Sequence, residues 1–301
     1  MTITGLFEAI AKLSGVFFVV ASMLAMGLSL TVPQIIGPLR NIRLVILALV
    51  ANFVLVPLLA LGIAAVIPLD QELRTGLIVV ATAAGAPFLP KLVMGAKGNV
   101  AFGVGLMVML MVLTIVYMPI VLPLLLPGVT VDAAAIAKSL VVLMLVPLAL
   151  GLLIRSHSAD TAAEWQPTLA KASTQALLVL MVVAVGLNVS NVLDLIGTGG
   201  LLAMLLFVVG SLVIGFVLGG SDAGDRCVMG LGTAQRNASA AIVVTAGNFA
   251  GSATLPYVLV GAILMLLILL PLAKRLGQRP QAAAAASRAG AVRGGAAGPG
   301  R

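Results

Sequence analysis

The sequence has very few of the residues that bind metals or cross-link chains. Among 301 residues there is one cysteine, Cys227, and one histidine, His157. A single cysteine excludes an internal disulfide and any zinc or iron–sulfur site built from several cysteines. A single histidine excludes a multi-histidine metal site. No apolar stretch contains the Ser/His or Asp/Asp pair of a buried catalytic centre, and we therefore predict that the protein is not an enzyme.

Charged residues are also scarce. They make up 9% of the chain, whereas hydrophobic residues make up 61%, and the mean hydropathy is +1.24. A soluble chain of this length cannot bury so much apolar surface, so the lipid bilayer must be its main solvent. The net charge of +8 comes largely from loops and a basic tail. Because no basic face carries interleaved aromatic residues, we do not expect a nucleic-acid partner.

Nine apolar stretches are each long enough to cross a membrane, and they predict an all-α polytopic membrane protein. The first is too long, and lacks the cleavage site, for a typical signal peptide. We assign residues 1–276 to one transmembrane domain. The predicted spans are approximately 9–31, 44–68, 73–96, 100–126, 136–154, 169–190, 200–220, 227–247 and 254–273.

Basic residues orient these spans, because cytoplasmic loops carry an excess of lysine and arginine. One set of connections is rich in them: Arg40, Arg43, Lys91, Lys97, Arg155, Lys171 and Arg226. The alternate set has fewer and is diluted by acidic residues: Lys12, Arg74, Lys138, Asp70, Glu72, Asp132 and Asp194. The first set is predicted to be cytoplasmic. The chain is therefore expected in the plasma (inner) membrane, with its N-terminus outside and its C-terminus in the cytoplasm.

The last residues, 277–301, differ in composition from the rest of the chain. They are rich in Ala and Gly and carry scattered arginines, so we expect a disordered basic cytoplasmic tail. Such a tail is either simply solvated or a weak electrostatic tether to anionic lipid.

Short internal similarities suggest two repeats. Residues 96–101 follow the third span and resemble residues 246–250 after the eighth, while residues 26–30 resemble residues 185–189 at the ends of the first and sixth spans. The matched elements lie five spans apart, so one copy is inverted in the membrane. Inverted repeats with interrupted helices are typical of secondary transporters. We place repeat one at about 9–126, a linking helix at 136–154 and repeat two at about 169–273.

Two spans are predicted to be broken. The third contains Gly85, Pro87 and Pro90, and each proline removes a helical hydrogen bond. In the eighth, Gly232 precedes the polar run of residues 233–237. Non-helical backbone is tolerated at membrane depth only where it is buried in protein or lines a cavity. The positive half-helix N-termini would favour an anion at the centre.

Arg236 is the most informative single residue, because it lies about 14 Å of helix from the nearer end of its span and an arginine at that depth is costly. We expect it to contact an anionic substrate, for which a guanidinium is well suited. The alternative is structural, with Arg236 capping carbonyls of a broken helix. Lys91 either lines the site or extends to water at the membrane surface. The other candidate substrate-binding residues are Gln235, Asn237, Thr233, Pro87, Asn188 and Ser29.

These motifs resemble those of the bile acid:sodium symporter family. The matching strings are Met26-Gly27-Leu28, residues 38–43, Ala96-Lys97-Gly98-Asn99 and Gln235-Arg236-Asn237. The resemblance implies a panel domain and a core domain, two broken helices that cross in the core, and substrate bound between the domains. It also implies a nine-span form without the first helix of the first repeat.

The chain departs from that family at the sodium ligands. The family's crossing helix carries a Glu-x-Gly-x-Gln-Asn string; if Gln235 matches its Gln, Leu231 replaces the Glu and Arg236 replaces the Asn. Other expected ligands are replaced as well, by Leu89, Pro90, Gly103 and Met107. The candidate ion ligands that remain are Asn99, Gln235 and Asn248. Sodium as a cofactor is therefore disfavoured. Proton coupling is disfavoured as well, because all nine acidic residues lie at span edges or in loops and none is placed to carry a proton across the membrane.

These observations predict a secondary transporter that moves a small organic anion by alternating access. A sodium-independent facilitator or exchanger of the same fold is an open alternative. A membrane sensor that transports nothing is another, although the sequence has no soluble output domain. The sequence does not indicate an oligomeric state.

Overall fold

The computed structural model describes residues 3–129, 131–187, 197–249 and 251–295, and within these ranges the chain is helical and has no strand. The predicted all-α class is confirmed. The helices of the first half are α1 (Ile3–Ser29), α2 (Val32–Ile36), α3 (Ile42–Val50), α4 (Val56–Val66), α5 (Gln71–Thr82), α6 (Leu89–Gly95) and α7 (Val100–Leu125). Those of the second half are α8 (Ala133–Leu140), α9 (Val146–His157), α10 (Ala159–Leu187), α11 (Gly200–Leu218), α12 (Ala223–Ala234), α13 (Ala238–Asn248) and α14 (Thr254–Gly295).

Within the described residues, six helical stretches are long and apolar enough to cross a membrane: Ala9–Ser29, Ile42–Val66, Val100–Leu125, Ala133–His157, Gly200–Leu218 and Thr254–Gln278. They coincide with six of the nine predicted spans, and the protein is a multi-pass membrane protein. The other three predicted spans stay predictions. Two of these, 73–96 and 227–247, are interrupted, so their longest helical pieces have only 12 residues each.

Two of the spanning stretches contain a π-helical turn just before a proline. The turns are Ala51–Leu55 and Val141–Leu145, and they precede Pro57 and Pro147. Proline has no N–H to donate to the carbonyl four residues earlier, and a wider turn accommodates that missing bond. For Pro57 this carbonyl belongs to Phe53, and it accepts a 2.6 Å hydrogen bond from the Tyr117 hydroxyl. The missing proline N–H therefore leaves no unsatisfied carbonyl at Phe53.

One group of packed helices consists of α1, α9 and α10, with α1 in contact with both of the others. The approach of α1 to α9 depends on two facing glycines, Gly27 and Gly151. A Cβ on Gly27 would lie 2.8 Å from the Gly151 Cα and would overlap the Leu148 carbonyl oxygen. Small residues that let backbones approach closely are the usual basis of helix packing in membranes.

The two interrupted helices run in opposite directions. At the start of α5, the Glu72 carboxylate accepts a hydrogen bond from the Ala253 N–H, in the connection that follows α13. At the start of α12, the Gly224 carbonyl accepts one from the Asn99 N–H, in the connection that follows α6. Each helix thus begins where the other interrupted helix ends. The carboxyl ends of α5 and α12 consequently meet from opposite sides.

The last helix is longer than the sequence predicts. We expected irregular structure from residue 277, whereas α14 continues to Gly295. The run of five alanines at 282–286 has the highest intrinsic helix propensity and accounts for the continuation. Residues 296–301 of the predicted tail lie outside the described residues.

Candidate functional site

The guanidinium of Arg236 lies where the carboxyl ends of α5 and α12 meet. Its Nη2 donates to the carbonyl oxygens of Ala81 at 2.7 Å and Asn52 at 3.5 Å. Its Nη1 donates to the Asn52 Oδ1 at 2.6 Å and to the Thr233 carbonyl at 3.2 Å. The Nε donates to the Val80 carbonyl at 3.3 Å. A guanidinium has five N–H donors, and each of the five has a protein acceptor.

This geometry matches the alternative role of Arg236, in which the side chain caps carbonyls of a broken helix. The residue is 1% exposed and caps carbonyls in the last turns of α5 and α12, although it forms part of the wall of a cavity. From the sequence, we expected the guanidinium to contact an anionic substrate. In the structure no N–H of Arg236 is left over for a substrate, because neutral oxygens from three helical segments surround it. Direct contact between Arg236 and an anion stays a prediction, and this conformation does not supply the contact.

Asn237 and Gly85 join the two interruptions directly. The Asn237 N–H donates to the Ala83 carbonyl at 2.8 Å and its Nδ2 donates to the Gly85 carbonyl at 3.0 Å. The Asn237 Oδ1 also caps α13 by accepting from the Ala240 N–H. Gly85 has a φ of +77°, and a Cβ there would overlap the backbone of Met111. Asn237 is fully buried, so its role in this structure is to connect the breaks.

The other residues of the predicted breaks lie close by. Thr233 is buried, and its Oγ1 lies 3.5 Å from the Asn52 Nδ2. Gly232 lies in the last turn of α12, where a Cβ would be 3.0 Å from the Leu89 side chain. Pro87 lies between α5 and α6, and Pro90 lies in the first turn of α6, where the missing N–H of a proline costs little.

A cavity of about 790 Å³ lies between α1 and α10 on one side and the interrupted helices and α14 on the other. Gln235 and Lys91 belong to its wall. Gln235 is 5% exposed, and its Oε1 has no hydrogen-bond partner among the described residues. Lys91 is exposed, and its Nζ lies 5.5 Å from the centre of the Phe88 ring. Pro87 and Ser29 also line this cavity.

A second cavity of about 840 Å³ adjoins the first. The two share four lining residues: Ser29, Leu30, Pro90 and Val104. The second cavity extends to Asn99 and Asp225, whose side chains form a 2.9 Å hydrogen bond at an exposed position. The combined space therefore leads from Gln235 to the face of the protein that the loop charges predict to be cytoplasmic.

The candidate ion ligands are not brought together. Asn99 caps α7 next to the start of α12, whereas Asn248 is the last residue of α13, and its Nδ2 donates to the Val244 carbonyl. Gln235 lies between them at the break. Within the described residues there is no group of three or more His, Cys, Asp or Glu side chains that could hold a metal ion. The predicted site residue Asn188 lies outside the described residues.

Sequence reasoning missed two polar residues at the breaks. Asn52 supplies two of the five acceptors of Arg236. Thr114 uses its hydroxyl to pair with both the N–H and the carbonyl of Ala84, each at 3.1 Å. Each is a polar side chain with apolar neighbours on both sides in the sequence. Such a position is a usable signal, because polar groups at membrane depth need partners.

The model of the Sodium Bile acid symporter family matches residues 16–195. The match covers more than half of the chain, and it confirms the resemblance seen in the motifs. It ends before α12 and Arg236. No curated protein matches the chain.

Proposed function

Because the chain belongs to the sodium bile acid symporter family, we propose that this membrane transporter carries an organic anion by alternating access, with Lys91 as the cation that pairs with it. The observation that carries the proposal is the charge of the 790 Å³ cavity. Among the described residues that line it, Lys91 and Arg236 are cationic and none is acidic. A partly enclosed site of one charge attracts ligands of the opposite charge.

Lys91 is the better candidate of the two for direct contact. The donors of Arg236 are all used by the protein, whereas the Lys91 ammonium has three donors at the end of a flexible chain and is exposed. Gln235 lies on the same wall. Its buried Oε1 can accept a hydrogen bond from a hydroxyl or N–H of the substrate, which would relieve the cost of an unsatisfied polar atom.

The rest of the wall selects for an apolar body. It includes aromatic and aliphatic side chains from several helices: Phe18, Met26, Phe88, Met107, Leu177 and Leu266. A volume of about 790 Å³ lies within the range of small-molecule binding sites. The substrate class that fits is an amphipathic organic anion with one apolar body, one anionic group and a polar hydrogen.

The open side indicates the conformational state. The cavities lead towards Asn99 and Asp225, whereas on the opposite side α13 packs against both α1 and α8. There the Ile242 side chain lies 3.8 Å from the position of a Cβ on Gly15 of α1. With the predicted topology this is an inward-facing state. The transport cycle then requires that α1, α9 and α10 move relative to the interrupted helices.

Uptake by proteoliposomes tests the proposal with amphipathic anions, their neutral amides and matched cations. We expect uptake of the anions only, and a Lys91→Gln variant with a KM about tenfold higher, equivalent to roughly 1.4 kcal/mol. Lys91→Arg should retain most of the affinity. Lys274→Gln is the matched control, because Lys274 is exposed and lines neither cavity. Equal KM values for Lys91→Gln and Lys274→Gln would remove Lys91 from the substrate site.

A further inference from the structure

The position that Arg236 occupies has the chemistry of a cation site. Its five acceptors are all uncharged oxygens, four of them backbone carbonyls of Val80, Ala81, Thr233 and Asn52, and one the amide oxygen of Asn52. Oxygen atoms of this kind are the ligands of hard cations such as sodium. In transporters with broken helices, carbonyls at half-helix C-termini form such sites.

The electrostatics of the two helices favour a positive charge at this position. The carboxyl end of a helix carries a partial charge of about −0.5, and here the carboxyl ends of α5 and α12 both point to one place. The acceptors of Arg236 include no carboxylate. The charge of the guanidinium therefore matches the sum of the two dipole ends. A second cation would find neither an uncompensated negative charge nor a free acceptor there.

We propose that Arg236 is a tethered cation that takes the place of a bound sodium ion where the two interrupted helices meet. The carrier consequently binds no sodium there, and a sodium gradient does not drive it. Because the cation is covalently part of α12–α13, it cannot dissociate during the cycle. The two breaks thus keep their arrangement whether or not substrate is bound, and the protein works as a facilitator or exchanger.

Arginine suits this role better than lysine. The five acceptors surround the planar group and engage every donor, so Arg236 fixes the positions of three segments at once. A lysine has three donors on one nitrogen and would leave two acceptors without partners. A neutral glutamine would keep much of the side-chain length while leaving the two helix ends uncompensated.

The absence of sodium binding at this position can be tested without a transport assay. The purified protein is unfolded thermally in sodium chloride and in choline chloride at equal ionic strength. We expect the wild type to have the same Tm in both salts. Arg236→Gln should have a lower Tm that sodium raises and choline does not. Arg236→Lys should be destabilised but still insensitive to sodium, because the positive charge remains.

Lys91→Gln is the matched control, since it removes a cation from the cavity wall but not from the helix ends, and it should gain no sodium response. A sodium-specific rise in the wild-type Tm would overturn the proposal, and so would a folded Arg236→Gln protein that ignores sodium. If Arg236→Gln does not fold, the wild type and Arg236→Lys still test the proposal, because a sodium-specific rise in the Tm of either protein would overturn it.

The inference that transport is not coupled to a sodium gradient rests on the proposed transport function, and the uptake assay tests it. Uptake of the anion should proceed at equal rates in sodium and choline buffers. Uptake that requires sodium contradicts the tethered cation, whereas the absence of any anion uptake contradicts the proposed function and leaves the unfolding result standing.

Discussion

The Asn52 Oδ1 accepts a 2.6 Å hydrogen bond from the Nη1 of Arg236, which lies 184 residues further along the chain. Asn52 belongs to the π turn of one spanning helix, and Arg236 belongs to the break of another. The amide also donates to the Ala48 carbonyl, so its orientation is held from both ends. This contact ties the π turn of a spanning helix to the place where the two interrupted helices meet.

Replacement of Asn52 tests the contribution of this contact. Asn52→Leu removes one acceptor of a buried cation, and we expect it to reduce the free energy of unfolding by about 1.5–3 kcal/mol. Asn52→Asp keeps an oxygen at the same position and should be more stable than the leucine variant. Chemical denaturation in detergent measures the difference, and equal stability of both variants would show that Arg236 does not depend on this acceptor.

Thr114→Val removes a hydroxyl from the first break without changing the volume much. The Ala84 N–H and carbonyl both lose their partner, and each unsatisfied buried group costs about 1–3 kcal/mol. We expect lower stability and faster amide exchange over residues 82–86. Thr75→Val is the control, because the Thr75 hydroxyl bonds only to the Gln71 carbonyl within α5. Hydrogen exchange that is unchanged in Thr114→Val would contradict the assigned role.

Gly27→Ala tests the close approach of α1 to α9. The new methyl would lie 2.8 Å from the Gly151 Cα, so the helices must separate, and we expect a loss of about 1–3 kcal/mol. Gly62→Ala is the matched control, since a Cβ there meets nothing within 4 Å and alanine favours the helix by up to about 1 kcal/mol. Thermal unfolding should therefore shift in opposite directions for the two variants.

Gln235→Leu separates stability from transport. The Gln235 Oε1 is buried without a partner among the described residues, so an apolar side chain of similar size should keep or increase the stability, by up to about 2 kcal/mol. Anion uptake should fall at the same time, because the wall loses its polar contact. A variant that is destabilised but transports normally would assign Gln235 a structural role instead.

Much of the site could be predicted from the sequence, for local reasons. The prolines at 87 and 90 and the polar run at 233–237 mark where a helix cannot continue, and the structure interrupts α5–α6 and α12–α13 at these places. The partners of Arg236 could not be predicted. Four of them are backbone carbonyls, from α5, from α12 and from the π turn at Asn52, and backbone carbonyls have no signature in the order of residues. The fifth is the Asn52 side chain, whose isolation in an apolar stretch marks it as polar but does not identify its partner.

The length and composition of the chain by themselves determined that it is a helical membrane protein, because so much apolar sequence and so few charges are stable only in lipid. The order of residues also placed a cation, Arg236, at the second break. The tertiary structure decided what that cation does. It brought the carboxyl ends of two antiparallel half-helices and the Asn52 amide around one guanidinium. Among the described residues that line the cavity, it left Lys91 as an exposed cation. Those pairings join residues about 150 or more positions apart, so only packing in three dimensions could assign them.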